Sequence, residues 1–204
     1  MKSVAELITC PKILENNILA VYEQCSDDEL SRGLLWYREA HDYCLELSKK
    51  YNKSILVTTG ILAALSPRKY WQENKKLANK YFRGSCSHTK IQLEKCHKIY
   101  HSNSFSLIMN ILGGKKTQNF FANILMPEDD KYVTLDRHSL TVVLGQTCED
   151  VTPHQYNILK NIYIQTANKL GILPVHLQCC TWLCQKRIKK NGENIYNKAE
   201  IVYF

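Results

Sequence analysis

The stretch Ile111 to Gly145, ILGGKKTQNFFANILMPEDDKYVTLDRHSLTVVLG, holds the residue types and spacings best suited to chemistry. Gly113 and Gly114 stand between two apolar helical segments, and the freedom of glycine to take positive φ permits a tight hairpin there. A helix that begins at Lys115 turns its free amides and positive dipole end toward whatever sits on the hairpin, and a phosphate is the natural occupant. Such a grip holds DNA without reading its sequence. Twenty residues after Lys116 stands Asp136, at the entry to another predicted helix, where a carboxylate can cap free amides.

Other clusters carry less. His97 and His101 lie one helical turn apart, with Cys96 beside them and Cys86 and His88 upstream; this is a conceivable zinc set, but the spacing is loose and a polar surface pair is the better reading. Cys179 and Cys180 are adjacent and Cys184 follows; structural thiols explain them adequately, and no metal is assigned. Cys10 and Cys148 have no catalytic partner at a motif distance. Trp36, Trp71 and Trp182 can stack on bases as in single-strand binders, yet each sits among helical apolar positions, which favours core packing.

The elements that must position these residues are helical. Asp27 to Tyr51 carries Leu30, Leu34, Leu35, Tyr37, Tyr43, Leu45 and Leu47 among charges and reads as one long amphipathic helix, capped by Ser26 or Asp27. Ile55 to Leu65 reads as a buried helix, although SILVTT at its start also suits a strand. Ser66-Pro67 ends it, and a new helix is predicted over Arg68 to Phe82. Between Arg68 and Lys98 basic residues outnumber Glu73 and Glu94, with Tyr70, Trp71, Tyr81 and Phe82 interleaved: a phosphate-binding face or a solvated one. Helices follow over Phe105 to Leu112 and Lys115 to Leu125, then, after the polar break MPEDDK, two more over Thr152 to Trp182, interrupted near Gly171 and Pro174. The tail Ile195 to Phe204 alternates enough for a short strand or a docking arm.

With 204 residues, 45% of them hydrophobic, the chain can bury one core, as a single domain or as two small lobes. No run of about 18 apolar positions exists and the start lacks a signal-peptide h-region, so a membrane or secreted protein is not expected. Nine cysteines are an odd number at irregular spacing, which argues for reduced thiols and an intracellular setting, in the cytoplasm or a host's cytoplasm if the protein is viral. The net charge of +8 favours a polyanionic partner. An RNA partner shares that charge but has no motif here.

The string Leu112-Gly113-Gly114-Lys115-Lys116-Thr117, followed by an apolar helix and by Val133-Thr134-Leu135-Asp136-Arg137-His138, resembles the signature of the helix-hairpin-helix DNA glycosylases of the endonuclease III-like kind. Upstream, LAALSPRKYWQENKKLA is similar to that family's helix ending in Leu-Ser and its following Asn-bearing helix, here with Ser66 and Asn74. The closing PVHLQCCTWLCQKR resembles an uncharacterised bacteriophage-type group sharing the same core. The resemblance implies an all-α fold: one helical domain over 1–204, two small helical lobes around a central cleft, a glycosylase-like core over 55–145 and the helix-hairpin-helix at about 105–125.

It also implies a function, removal of a damaged or modified base flipped out of duplex DNA, with strand cleavage by lyase chemistry as an added activity. Lys116 would be the amine nucleophile and Asp136 the carboxylate that activates it and stabilises the developing positive charge. Gly113, Gly114, Lys115, Thr117, Arg137, His138, Ser66 and Asn74 would contact DNA. The implied protein is a monomer on double-stranded DNA, with no cofactor. The chain departs from the family in three respects. Its hairpin glycines are adjacent where the family has a residue between them, which leaves open whether Lys115 or Lys116 takes the nucleophile's place. Cys179, Cys180 and Cys184 do not match the family's iron-sulfur spacing, and no base-reading pocket is recognisable. The alternative is a non-catalytic DNA-binding helix-hairpin-helix protein of phage or mobile-element type.

Overall fold

The structure, a computed structural model, describes residues 3–192. Among them are eleven helices and no strand: α1 Val4–Leu7, α2 Pro11–Tyr22, α3 Asp27–Tyr51, α4 Ile55–Ala64, α5 Trp71–Phe82, α6 Lys90–Tyr100, α7 Phe105–Leu112, α8 Lys115–Leu125, α9 Arg137–Leu144, α10 Pro153–Leu170 and α11 Pro174–Asn191. The all-α class therefore stands. The alternating tail at 195–204 lies outside the described residues, and no helix within them is long and apolar enough to cross a membrane.

Local chemistry sets most helix ends. Ser3 and Glu6 form a capping box on α1, and Thr152 and Gln155 form one on α10, each pairing donors that a helix start leaves without partners. Ser26 caps α3 in the same way: its hydroxyl accepts from the Glu29 amide at 3.3 Å and its own amide donates to Glu29 Oε2 at 3.0 Å. Proline occupies the first turn of α2, α10 and α11. Gly145, Gly171 and Gly192 end α9, α10 and α11 in the left-handed conformation.

Two expectations about the middle of the chain are resolved. SILVTT is helical: Ser54 caps α4, accepting from the Val57 amide, and the helix that follows is buried from Val57 to Ala64, as suits a segment apolar around most of its surface. The basic-aromatic helix, however, starts at Trp71 rather than Arg68. Pro67 and Arg68 form a turn in which Arg68 takes φ +61° and the Lys69 amide donates to the Ser66 carbonyl at 3.1 Å, so the helical ladder opens only from the Tyr70 carbonyl.

The chain divides into two compact units, one of Met1–Trp36 and Glu128–Phe204, the other of Tyr37–Pro127. In the second, α4 is the buried axis, with α5, α6, α7 and α8 packed on it. Gly60 makes this possible, since a Cβ there would stand 2.8 Å from Ile99 Cγ2 and 3.0 Å from Ile108 Cγ2. In the first unit α2, α9, α10 and α11 pack on one another around Leu14, Ile18, Val142, Leu159, Tyr163 and Leu177. Here the close approach is at Gly33 of α3, where a Cβ would meet Cys180 Sγ at 2.4 Å and its backbone nitrogen at 2.8 Å. All nine cysteines are free thiols.

Candidate functional site

The glycine pair joins α7 to α8 within the second unit, with only Gly113 and Gly114 between them. Ser104 starts α7, accepting from the Leu107 amide. At its other end Gly113 takes φ +81° and ψ −77°, the centre of a γ-turn closed by the Gly114 amide donating to the Leu112 carbonyl, a strained conformation that L side chains rarely adopt. Gly114, at φ −67° and ψ 140°, is the N-cap of α8 and brings no side chain to its amides. A Cβ on Gly114 would meet nothing within 4 Å, so crowding does not require glycine there.

Two polar side chains brace the turn. Lys95 of α6 donates to the Leu112 carbonyl at 2.7 Å, and Gln118 of α8 donates to the Met109 carbonyl at 2.9 Å. Each is a second donor to its carbonyl, since Met109 O also accepts from the Gly113 amide at 3.2 Å and Leu112 O from the Gly114 amide at 3.1 Å. Buried Asn119, Phe121 and Ala122 anchor the inner face of α8. Lys115 and Lys116 are exposed in its first turn, and neither ammonium has a hydrogen-bond or ion-pair partner among the described residues; Thr117 is half-buried. The opening of α8 is therefore a solvent-facing row of uncapped amides beside two lysines, a combination that suits an anion.

Asp136 belongs to the first unit and is the N-cap of α9. Its Oδ1 accepts from the His138 amide at 2.9 Å and the Ser139 amide at 3.0 Å, and its Oδ2 accepts from Trp182 Nε1 at 2.9 Å. Buried Val133, Thr134 and Leu135 lead into the cap, and Tyr156 holds them: its hydroxyl donates to the Val133 carbonyl and accepts from the Leu135 amide, both at 2.9 Å. Burial pushes the Tyr156 phenol up, so it remains a donor at any ordinary pH. Gln178 of α11 ties down Ser139 with a 3.0 Å bond to its hydroxyl.

The indole that meets Asp136 is itself placed by neighbours. Trp36 packs edge-on against Trp182, with centroids 6.3 Å apart, and Lys186 Nζ lies 4.1 Å over the Trp182 ring. His138 is half-buried, and burial lowers its pKa; Asp136 opposes this, while Arg137, Lys189 and Lys186 reinforce it. Arg137 is exposed at the start of α9.

The remaining residues expected to contact DNA, Ser66 and Asn74, lie in the second unit, as do His97 and His101. Ser66 follows α4, half-buried, its hydroxyl donating to the Ala63 carbonyl at 2.8 Å. Asn74 is buried in α5 with its Oδ1 unpaired among the described residues. His97 and His101 are exposed with ring centroids 5.0 Å apart, whereas Cys96 is fully buried, and these three are not gathered around one point. In the first unit, Cys179 and Cys180 have different partners, Gln178 Oε1 at 3.8 Å and the Leu30 carbonyl at 3.7 Å.

Sequence reasoning misses Trp182, Tyr156 and Lys95. It treats Trp182 only as a base stacker or a core residue, when its N–H is a donor that a half-buried indole must place. The i, i+4 spacing of Trp182 and Lys186 on α11 is the available signal for that corner. Tyr156 and Lys95 act on backbone carbonyls, which no sequence motif reports.

No curated protein and no solved structure matches the chain. Residues 5–190 match the family model described as "Family of unknown function (DUF7178)", and the chain belongs to that family.

Proposed function

We propose that this protein binds duplex DNA through the α7–α8 hairpin and acts on it as a DNA glycosylase, with lyase activity when the attacking group is an amine. One observation carries the reading: α7 and α8 are joined by only Gly113 and Gly114, and α8 opens with uncapped amides flanked by exposed Lys115 and Lys116. Amides of this kind bind phosphate oxygens, and lysines beside them release counterions on binding. The sequence string around this hairpin and around Asp136 supports the catalytic half of the proposal, with Lys116 as nucleophile and Asp136 as the carboxylate that favours positive charge. Attack by the amine at the sugar carbon displaces the base and leaves a Schiff base, from which elimination cuts the strand.

A non-catalytic DNA-binding protein is the second reading, and one observation favours it. Both oxygens of Asp136 already accept hydrogen bonds from its own unit, a full complement for a purely structural cap. Borohydride trapping separates the two, using duplexes that carry an abasic site, oxidised guanine, oxidised or modified pyrimidines, or uracil. A covalent adduct lost in Lys116→Ala but kept in Lys115→Ala, and weakened in Asp136→Asn, is the result expected of the enzyme. Salt-sensitive binding with no adduct and no base release on any duplex would leave the binding protein.

A further inference from the structure

Away from both candidate regions, three groups converge in the first unit. Cys25 lies between α2 and α3, Glu29 in the first turn of α3, and Cys184 on α11. The two sulfurs and a Glu29 carboxylate oxygen all lie within 4.8 Å of one another, the sole such grouping of metal-ligating side chains among the described residues. Cys184 and Glu29 are buried and Cys25 is half-buried, which leaves a way in from solvent.

We propose that Cys25, Glu29 and Cys184 form a binding site for one thiophilic divalent cation, zinc in the first instance. Zinc holds thiolate sulfur at ~2.3 Å and carboxylate oxygen at ~2.0–2.2 Å, so its tetrahedral ligands stand roughly 3.5–3.8 Å apart. The observed grouping needs only small side-chain rotations to reach that spacing. The fourth position falls to water, since Cys180, one turn before Cys184, is turned to the Leu30 carbonyl.

The charges around the site fit. Arg187 donates through Nε to Glu29 Oε1 at 2.9 Å and through Nη2 to Oε2 at 3.1 Å, to Cys184 Sγ at 3.3 Å and to the Gln24 carbonyl at 2.7 Å. A divalent cation with two thiolates and one carboxylate carries a net charge of −1, which the guanidinium neutralises, so the filled cluster buries no uncompensated charge. Binding converts two thiols to thiolates and releases their two protons to solvent, with no change of oxidation state. Glu29 accepts from Arg187 twice and from the Ser26 amide once, which leaves about one of its four lone pairs for the metal. A bound ion would tie the start of α3 to α11.

Sequence reading groups Cys184 with Cys179 and Cys180 because they are neighbours along α11. The structure pairs it instead with residues about 150 positions away, at Cys25 and Glu29.

The test is titration of the full-length chain, reduced with a phosphine and stripped with a chelator, first with Co2+ and then with Zn2+. Expected are a one-to-one complex with sulfur-to-cobalt charge-transfer absorption, displaced by Zn2+, and a melting temperature that rises with Zn2+. Cys25→Ser and Cys184→Ser should each weaken Co2+ binding at least tenfold and diminish the charge-transfer band, while Cys148→Ser, half-buried in the same unit, keeps it. Cys25 is the safer position to change because it lies between helices. A wild-type chain with all nine thiols reduced that gives no charge-transfer band overturns the proposal, as does a band that survives unchanged in Cys25→Ser.

Discussion

At the start of α8 the amides face solvent with no side-chain cap, beside two lysines that have no partner among the described residues. At the start of α9, by contrast, the Asp136 carboxylate closes two amides and takes a third bond from Trp182. Both are helix N-termini of similar length, so the macrodipole is nearly the same at each. What differs is whether the protein supplies its own anion. The α9 corner is complete without a ligand, whereas the α8 corner leaves donors to be satisfied from outside, by water or by a phosphate. The hairpin is thus the better candidate for contact with a polyanion, and Asp136 must justify any further role by an effect beyond stability.

The largest expected effect comes from breaking the closed corner. Asp136→Ala strips the cap and leaves Trp182 Nε1 half-buried without its acceptor, for a loss of about 3 kcal/mol in thermal or denaturant unfolding. Asp136→Asn keeps one acceptor oxygen and should lose about half as much. If DNA processing falls in Asp136→Asn far more than this stability change explains, the carboxylate works in chemistry; if the two fall together, it is a cap alone.

Next comes the open corner. Lys115→Ala combined with Lys116→Ala should weaken duplex binding roughly tenfold and lower the salt dependence by about two phosphate contacts. Unfolding should be unchanged, because neither lysine has a partner to lose among the described residues. Gly113→Ala should cost about 1–3 kcal/mol from its strained γ-turn geometry, and weaken binding by disturbing the turn. Gly114→Asp makes the sharpest comparison, since it gives α8 the cap that α9 already has. With open space for the new Cβ and suitable backbone angles, it should stabilise the fold by about 0.5–1 kcal/mol while reducing DNA affinity. A Gly114→Asp variant that is more stable yet binds DNA as well as wild type would show that these amides hold no phosphate.

The sequence was more informative about elements than about partners. Asp136 as a helix cap, the glycine hairpin and the breaks near Gly171 and Pro174 were legible because each rests on local backbone chemistry within a few residues. The start of the basic helix differs by three residues because proline licenses a first helical turn without requiring one, and here Pro67 and Arg68 form a separate turn. The partners were invisible for a different reason. Trp182 reaches Asp136 across 46 positions and Cys184 reaches Cys25 across 159, and such pairings depend on how α11 packs, which spacing within a segment does not encode.

The smallest effect concerns pH and also bears on the closed corner. Burial lowers the His138 pKa from its ordinary 6.5, and Asp136 only partly offsets this. A histidine whose folded pKa is depressed stabilises the fold fully above its unfolded value, and that contribution is lost as pH falls through the folded one. Unfolding measured between pH 8 and pH 5 should therefore show stability declining below about pH 6.5. His138→Gln should flatten that part of the profile. Asp136→Asn should steepen it, because removing the negative charge beside His138 depresses its pKa further. Were the slope the same in all three proteins, His138 would not be sensing the Asp136 carboxylate, and the corner would owe its order to the backbone cap and Trp182 alone.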